Sequence, residues 1–144
     1  MADKDTKNFS DFERQAMKDR AAEVKAQKAD KTRAGGQKQI DDAAAKMTPA
    51  EQKLLRTIEA IVQQADPELM PKTYYGMPAW TRDGKVLCFF QPATKFKVRY
   101  STLGFEGPAN LDDGNFWPSA YAIPGDLTAE DEKRLAAIMA KAVS

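Results

Sequence analysis

A two-residue turn signal between two strand-like segments is the feature that most constrains this chain. Asp83-Gly84 separates residues 79–82 from residues 85–91, and this dipeptide readily adopts the type I′ turn that joins antiparallel strands. The run Val86–Phe90 is apolar at every position, which is typical of a strand covered on both faces. Pro92 lacks the N–H that a strand ladder needs and ends the run. The sequence therefore predicts a β-hairpin whose second strand is central to a sheet.

The compact domain is predicted to begin at Thr48 and to cover residues 48–144. Thr48, Pro49 and Glu51 have the spacing of a capped helix start, and apolar residues then recur at three- and four-residue intervals, as on one face of a helix. Pro67 ends this helix. Residues 67–75 are predicted to form a short second helix, which Gly76 ends in a left-handed conformation.

The second half of the domain predicts further strands and a closing helix. Residues 95–100 alternate strictly, which predicts a strand with Lys95, Lys97 and Arg99 on a basic face and apolar side chains on the other. Residues 116–123 are a last strand candidate, and Thr128 begins a final amphipathic helix. Helices at both ends of consecutive strands indicate an α+β fold, with a mainly antiparallel sheet of about four or five strands covered by helices.

Residues 1–47 are predicted to be a polar extension that is helical in part or disordered, because their few large apolar side chains cannot close a core. Ser10 and Glu13 have capping-box spacing, so a helix is expected from about residue 11 to residue 32. Gly35-Gly36 would end it or form a flexible joint. The alternative is a partner-binding arm that orders on contact, with Phe9 and Phe12 as anchors.

Composition excludes several function classes. Because 22 basic and 21 acidic residues leave a net charge of +1, no global field favours nucleic acid or an anionic membrane. The chain has no histidine and a single cysteine, Cys88, for which a buried, inert thiol is expected. No signal core or membrane-spanning window is visible, and together with the lone cysteine this predicts a cytoplasmic protein.

The hexapeptide at residues 75–80, YGMPAW, followed by the hairpin and the apolar strand, resembles the YdhG-like family of small uncharacterised bacterial domains, which are related by fold to YjbR-like and frataxin/CyaY-like proteins. The resemblance covers about residues 48–143. It implies a helix, a motif turn, an antiparallel sheet and a closing helix, in this order. It also implies that an iron-binding or chaperone role is worth testing, although the chain lacks the histidine that many relatives carry in the basic strand.

The basic strand and the motif aromatics predict a non-catalytic binding or accessory module that uses a basic-aromatic sheet face or cleft. Regularly spaced cations suit phosphates or carboxylates, and aromatic rings offer stacking surfaces. The alternatives are charges that keep an edge strand soluble and aromatics that only pack the core. We expect a small anionic ligand or a protein partner, with nucleic acid as a weaker alternative. The candidate ligand-binding residues are Tyr74, Tyr75, Met77, Trp80, Arg82, Lys95, Lys97 and Arg99.

Carboxylates in a turn-rich loop are the candidate metal ligands, since hard cations prefer oxygen donors. Glu106, Asp112 and Asp113 would support the frataxin-like alternative, iron binding, but a solvated turn explains the same residues. A further alternative is an enzyme acting on a small molecule. No nucleophile, general base, phosphate loop or cofactor can be assigned from the sequence.

Overall fold

The computed structural model describes residues 10–144, so the predicted anchor Phe9 lies outside the described residues. Two helices, α1 (Asp11–Ala29) and α2 (Arg33–Ala44), precede the capped helix α3 (Pro49–Ala65). The strands and remaining helices then follow in the order β1 (Met70–Tyr74), β2 (Met77–Arg82), β3 (Lys85–Gln91), α4 (Ala93–Phe96), β4 (Ser101–Phe105), β5 (Ala120–Ile123) and α5 (Ala129–Val143). The predicted α+β fold is confirmed. Of the described helices, none is long and apolar enough to cross a bilayer.

The sheet has the order β1-β2-β3-β4-β5, and every neighbouring pair is antiparallel. The Asp83-Gly84 hairpin is confirmed, and both turn residues have the positive φ that a type I′ turn requires, 52° and 80°. The register between β2 and β3 shifts by one residue at Trp80/Thr81, which leaves Leu87 without a partner in this ladder. Such a bulge bends the strand locally, and both Leu87 and Cys88 are fully buried. The prediction of a central β3 is therefore correct.

Helices α3 and α5 pack against each other and against the sheet through their apolar faces. Both begin with a complete capping box, at Thr48 with Glu51 and at Thr128 with Asp131, as the sequence predicts. The core includes side chains from both helices and from β3 and β4, among them Leu55, Ile58, Val62, Met139, Phe90 and Leu103. This packing fixes the covered face of the sheet.

The predicted short helix at residues 67–75 is wrong, because residues 70–74 form the edge strand β1. Pro71 is unsuited to a helix interior but is tolerated at a sheet edge. Gly76 does have positive φ, 77°, as predicted, but Tyr75 also has positive φ, 52°, and together they form the turn of a second hairpin. Gly76 therefore turns a strand and does not end a helix.

The predicted strand at residues 95–100 is also wrong. Residues 93–96 form the one-turn helix α4, and Lys97 follows in the left-handed conformation with φ of 54°. The side chain of Glu51 accepts a hydrogen bond from Thr94 N–H at 2.9 Å, and Ser101 Oγ accepts one from Ala93 N–H at 3.1 Å. These tertiary contacts stabilise a helical turn where the alternating pattern predicts a strand. The last strand is likewise shorter than predicted and begins at residue 120 instead of 116.

The amino-terminal region contains two helices instead of the single helix expected up to residue 32. Gly35 and Gly36 do not end a helix but lie in the first turns of α2. A Cβ atom on Gly36 would collide with the carbonyl oxygen of Pro71, so this glycine permits close packing of α2 on β1. Ile40 and Ala44 are buried in the core. The core thus includes side chains from before Thr48, in the segment that the sequence predicts to be an extension.

Candidate functional site

Helix α1 lies against the β1 edge and α4 through one stripe of side chains. Phe12 contacts the Phe96 ring with a centroid separation of 5.5 Å, and the Asp19 carboxylate pairs with Lys95 Nζ at 2.9 Å. Further along the stripe, Gln27 Nε2 donates to Thr73 O at 2.8 Å. The spacing of these residues matches one face of a helix. We call the surface that receives this stripe the α1 groove; it is formed by Thr73, Gly76, Lys95 and Phe96.

Glu23 occupies the middle of this stripe and is the one buried residue of α1. Its carboxylate accepts a hydrogen bond from Gly76 N–H in the turn between β1 and β2 and lies 3.5 Å from Arg20 Nη1. Burial raises the pKa of Glu23 above its usual value of 4.5, although the Gly76 amide and Arg20 partly offset this effect. The helix is therefore docked through a carboxylate whose charge is costly to bury.

Two glutamines complete the hydrogen bonding of the β1 edge. Thr73 pairs with Pro78 at a non-hydrogen-bonded position of the hairpin, so its N–H and C=O face away from β2. Gln27 from α1 donates to Thr73 O, and Gln39 from α2 accepts from Thr73 N–H at 3.4 Å; the two glutamine side chains are also bonded to each other at 3.3 Å. Side-chain amides thus occupy the positions where the backbone of a further strand would bind. They protect the β1 edge from pairing with another chain.

A cleft of about 520 Å³ opens between α1, the α1–α2 connection and the β1–β2 end of the sheet. We call it the basic cleft, because the charged side chains of residues 10–144 that line it are Arg20, Lys28, Lys31 and Lys72, with Asp30 as the one acid among them. Asp30 accepts hydrogen bonds from the Thr32 backbone N–H and hydroxyl, at 2.9 and 2.6 Å. Apolar surface between the cations comes from Val24, Met70 and Pro71.

The cations of the basic cleft differ in whether a carboxylate lies close enough to offset their charge. Within residues 10–144, Lys28, Lys31 and Lys72 have no carboxylate within ion-pair distance, whereas Arg20 has the long contact to Glu23. Burial lowers the pKa of Lys72 below its usual value of 10.5, and repulsion from Arg20 lowers it further, while Glu23 partly offsets both. An anion in the cleft would relieve that repulsion.

Arg20 links the cleft to the motif tyrosines. Its guanidinium lies 5.1 Å from the Tyr75 ring centroid and 6.0 Å from that of Tyr74, within the range of cation–π attraction. The two tyrosine rings meet edge to face at 4.9 Å, and Tyr74 also approaches Phe89 at 5.9 Å. Tyr75 is exposed. Of the predicted ligand-binding residues, these two tyrosines therefore lie beside the basic cleft.

The other predicted ligand-binding residues lie elsewhere. Met77 is buried, and Trp80 is 4% exposed within the core, where it also borders a separate cleft near Arg33 and Leu69. Arg82 pairs with Asp66 at 2.7 Å and donates to Val143 O at 2.8 Å, so its guanidinium ties β2 to the ends of α3 and α5.

The three cations of the expected basic strand are not aligned on a sheet face. Lys95 is paired with Asp19 from α1, Lys97 is exposed after α4, and the Arg99 guanidinium lies 5.0 Å from the Tyr100 ring centroid. The three cations therefore have different neighbours. Their spacing no longer supports recognition of successive phosphates.

The predicted metal ligands are exposed and do not converge. Glu106, Asp112 and Asp113 all face solvent. Within residues 10–144, no group of three or more acidic, cysteine or histidine side chains is close enough to hold a metal ion. Cys88 is buried as expected, and burial raises the pKa of its thiol to about 12, so the thiol is poorly suited to act as a nucleophile at neutral pH.

A second cleft, of about 400 Å³, lies on the other side of α1, and its charges are largely satisfied within the protein. Asp19 pairs with Lys95, and Glu51 accepts hydrogen bonds from Thr48 N–H and Thr94 N–H at 3.0 and 2.9 Å. In contrast, the basic cleft retains three lysines without such partners in the described chain. We therefore take the basic cleft as the candidate functional site.

Sequence reasoning missed the four cations of this cleft, although a partial signal was present. Arg20 and Lys28 are eight residues apart and so project from one side of a helix. Lys72 lies at the start of the motif segment. The signal was obscured because the amino-terminal region was expected to be an extension, and nothing in its pattern indicates that α1 returns to β1.

No family model matches this chain, and no curated protein or solved structure is significantly similar to it. The functional assignment therefore depends on the geometry and electrostatics of the basic cleft.

Proposed function

We propose that this protein is a non-catalytic binding module for a small organic polyanion, held in the basic cleft. The observation that supports this proposal best is the convergence of Lys28, Lys31 and Lys72, without carboxylate partners in the described chain, on one concave surface. Like charges on one concave surface repel each other, and a bound anion would relieve that repulsion, which favours an anionic ligand.

The size and lining of the cleft favour a small molecule over a polymer. Its volume of about 520 Å³ is within the usual range for small-ligand sites. The apolar side chains Val24, Met70 and Pro71 between the cations suit a carbon skeleton that carries phosphate or several carboxylates. Lysines bind such groups as point charges, whereas Arg20 offers a planar fork of donors.

Lys72 is the central residue in this proposal. It projects from the β1 edge, which the α2 contact holds in place, while Lys28 and Lys31 come from α1 and its connection. An anion bound to all three would bridge α1 to the sheet. Arg20 would contact the ligand from the side of the tyrosines and orient it.

Isothermal titration with pyrophosphate and with citrate, at low salt, tests this function. We expect binding that weakens as salt is raised, because the contacts are between charges. Lys72→Gln should raise Kd by about tenfold, which corresponds to ~1.4 kcal/mol of lost contact energy.

Lys133→Gln is the matched control, since Lys133 is an exposed lysine on α5 and its substitution changes the net charge equally. It should leave Kd within about twofold. Equal weakening by the two variants would indicate a general charge effect. Absence of binding by both probes would refute the function.

We also propose that the chain is related to the YdhG-like family and acts in the cytoplasm. The order α3, antiparallel sheet and α5 supports the relationship, although the motif turn lies within the sheet, between β1 and β2. The lone buried thiol is compatible with a reducing compartment.

A further inference from the structure

Helix α1 is joined to α2 by a very short connection, and helix formers predominate on both sides of it. Residues 30–32 separate the two helices, and residues 11–44 contain no proline. The segment is rich in alanine, lysine and glutamine, which are good helix formers. Straightening the connection would merge both helices into one, and no proline in residues 30–32 prevents this.

The connection is held in its turn by small polar contacts. The Asp30 carboxylate accepts from the Thr32 N–H and hydroxyl, and the Thr32 hydroxyl accepts from Gly35 N–H at 3.0 Å. Asp30 lies so close to Gly35 that a Cβ atom there would collide with the carboxylate. The turn therefore depends on one aspartate and the space that Gly35 leaves for it.

Helix α1 docks through individual side-chain contacts and not through a buried apolar face. Glu23 is its one buried residue, and Phe12 and Met17 are 43% and 57% exposed. The α1 groove nevertheless matches α1 closely, with Lys95 for Asp19, Gly76 N–H for Glu23 and Thr73 O for Gln27. The helix that this groove is known to fit is α1 itself.

We propose that α1 exchanges between two copies of this chain. The connection at residues 30–32 straightens, and the α1 helix of each copy docks in the α1 groove of the other. Every contact between α1 and the α1 groove is kept. The free energy of exchange therefore comes mainly from the altered hinge and from the entropy lost on association. The second copy then supplies Arg20 and Lys28 to the basic cleft. The exchange itself does not depend on anion binding.

Sedimentation velocity from micromolar to millimolar concentration tests the exchange. We expect a monomer–dimer equilibrium in the full chain. Asp30→Ala removes the turn contacts and should lower the dimer Kd by about fivefold or more, as expected for the loss of a charged hydrogen bond. Asp113→Ala, an exposed loop aspartate, is the matched control and should leave the equilibrium unchanged.

An intermolecular label distinguishes exchange from other dimers. A spin label on Lys25→Cys, an exposed α1 position, is mixed with an ¹⁵N-labelled full chain that lacks the label. Exchange predicts broadening of the Thr73, Gly76 and Lys95 amides of the second chain. A strictly monomeric protein, or a dimer in which broadening lies away from the α1 groove, would overturn the proposal.

Discussion

Glu23 is a buried carboxylate on a helix whose other side chains are exposed or half-buried. Its hydrogen bond reaches Gly76, 53 residues further along the chain. Helical periodicity places Glu23 on the same face as Asp19 and Gln27, but a charged residue in a polar segment gives no sign of burial. Its role depends on tertiary structure and was beyond the reach of sequence reasoning, whereas the burial of Cys88 followed from its apolar neighbours and was predicted correctly.

Glu23→Gln tests the cost of this buried charge. Because the folded-state pKa of Glu23 is raised, the folded state retains a proton at pH values where the unfolded chain has lost it. Its contribution to stability is therefore fully present below the usual pKa of 4.5 and is lost as the pH rises through the folded-state pKa. Glutamine still offers an oxygen to Gly76 N–H, so the variant should gain stability relative to wild type as pH rises from 4.5 to 7.

Urea unfolding of both proteins at several pH values measures this difference. Comparing variant with wild type cancels the opposite contributions of Asp19, Glu51 and Asp66, whose pKa values are lowered. Glu68→Gln, at an exposed position, should show no such trend. A stability difference for Glu23→Gln that does not change with pH would show that the buried charge is not costly.

At the scale of elements, the sequence predicted the structures that local signals determine. The capped starts of α3 and α5, the Asp83-Gly84 hairpin and the bounds of β3 are all as predicted. The wrongly predicted elements are those whose structure depends on contacts with residues distant in sequence. The strand β1 forms because it pairs with β2 through a turn that places Tyr75, a residue rarely found at positive φ, in the left-handed region. The helix α4 replaces a predicted strand because Glu51 binds its first turn.

Gly36→Ala tests the packing of α2 on β1. The added methyl group would collide with the carbonyl oxygen of Pro71, which is backbone and cannot rotate away. We expect α2 to move and the free energy of unfolding to fall by about 2–3 kcal/mol, the upper part of the range for overpacked sites. Chemical denaturation followed by circular dichroism measures the change.

Gly125→Ala is the control for this substitution, because a Cβ atom there meets no atom within 4 Å. Its stability should differ from wild type by less than about 0.5 kcal/mol, as is usual for surface changes. If Gly36→Ala were equally harmless, α2 would not be held against the β1 edge as described.

At the scale of the whole molecule, the basic cleft exists only because α1 returns to the sheet. Lys28 and Lys31 are distant in sequence from Lys72, and no pattern within either segment indicates that they meet. The prediction of a cationic, aromatic-bordered ligand site stays a prediction, and in our proposal its cations lie on α1, the α1–α2 connection and β1 instead of residues 95–99. Tyr74 and Tyr75 keep their place beside it through Arg20.

The most direct test of the central claim is an NMR titration of the ¹⁵N-labelled full chain with pyrophosphate. If the polyanion binds in the basic cleft, the largest saturable amide shifts will occur at Lys28, Lys31 and Lys72, and in Lys72→Gln about tenfold more pyrophosphate will be needed to reach half of the full shift. Shifts centred on Lys95, Lys97 and Arg99, or small shifts spread over all exposed lysines without saturation, would contradict the assignment.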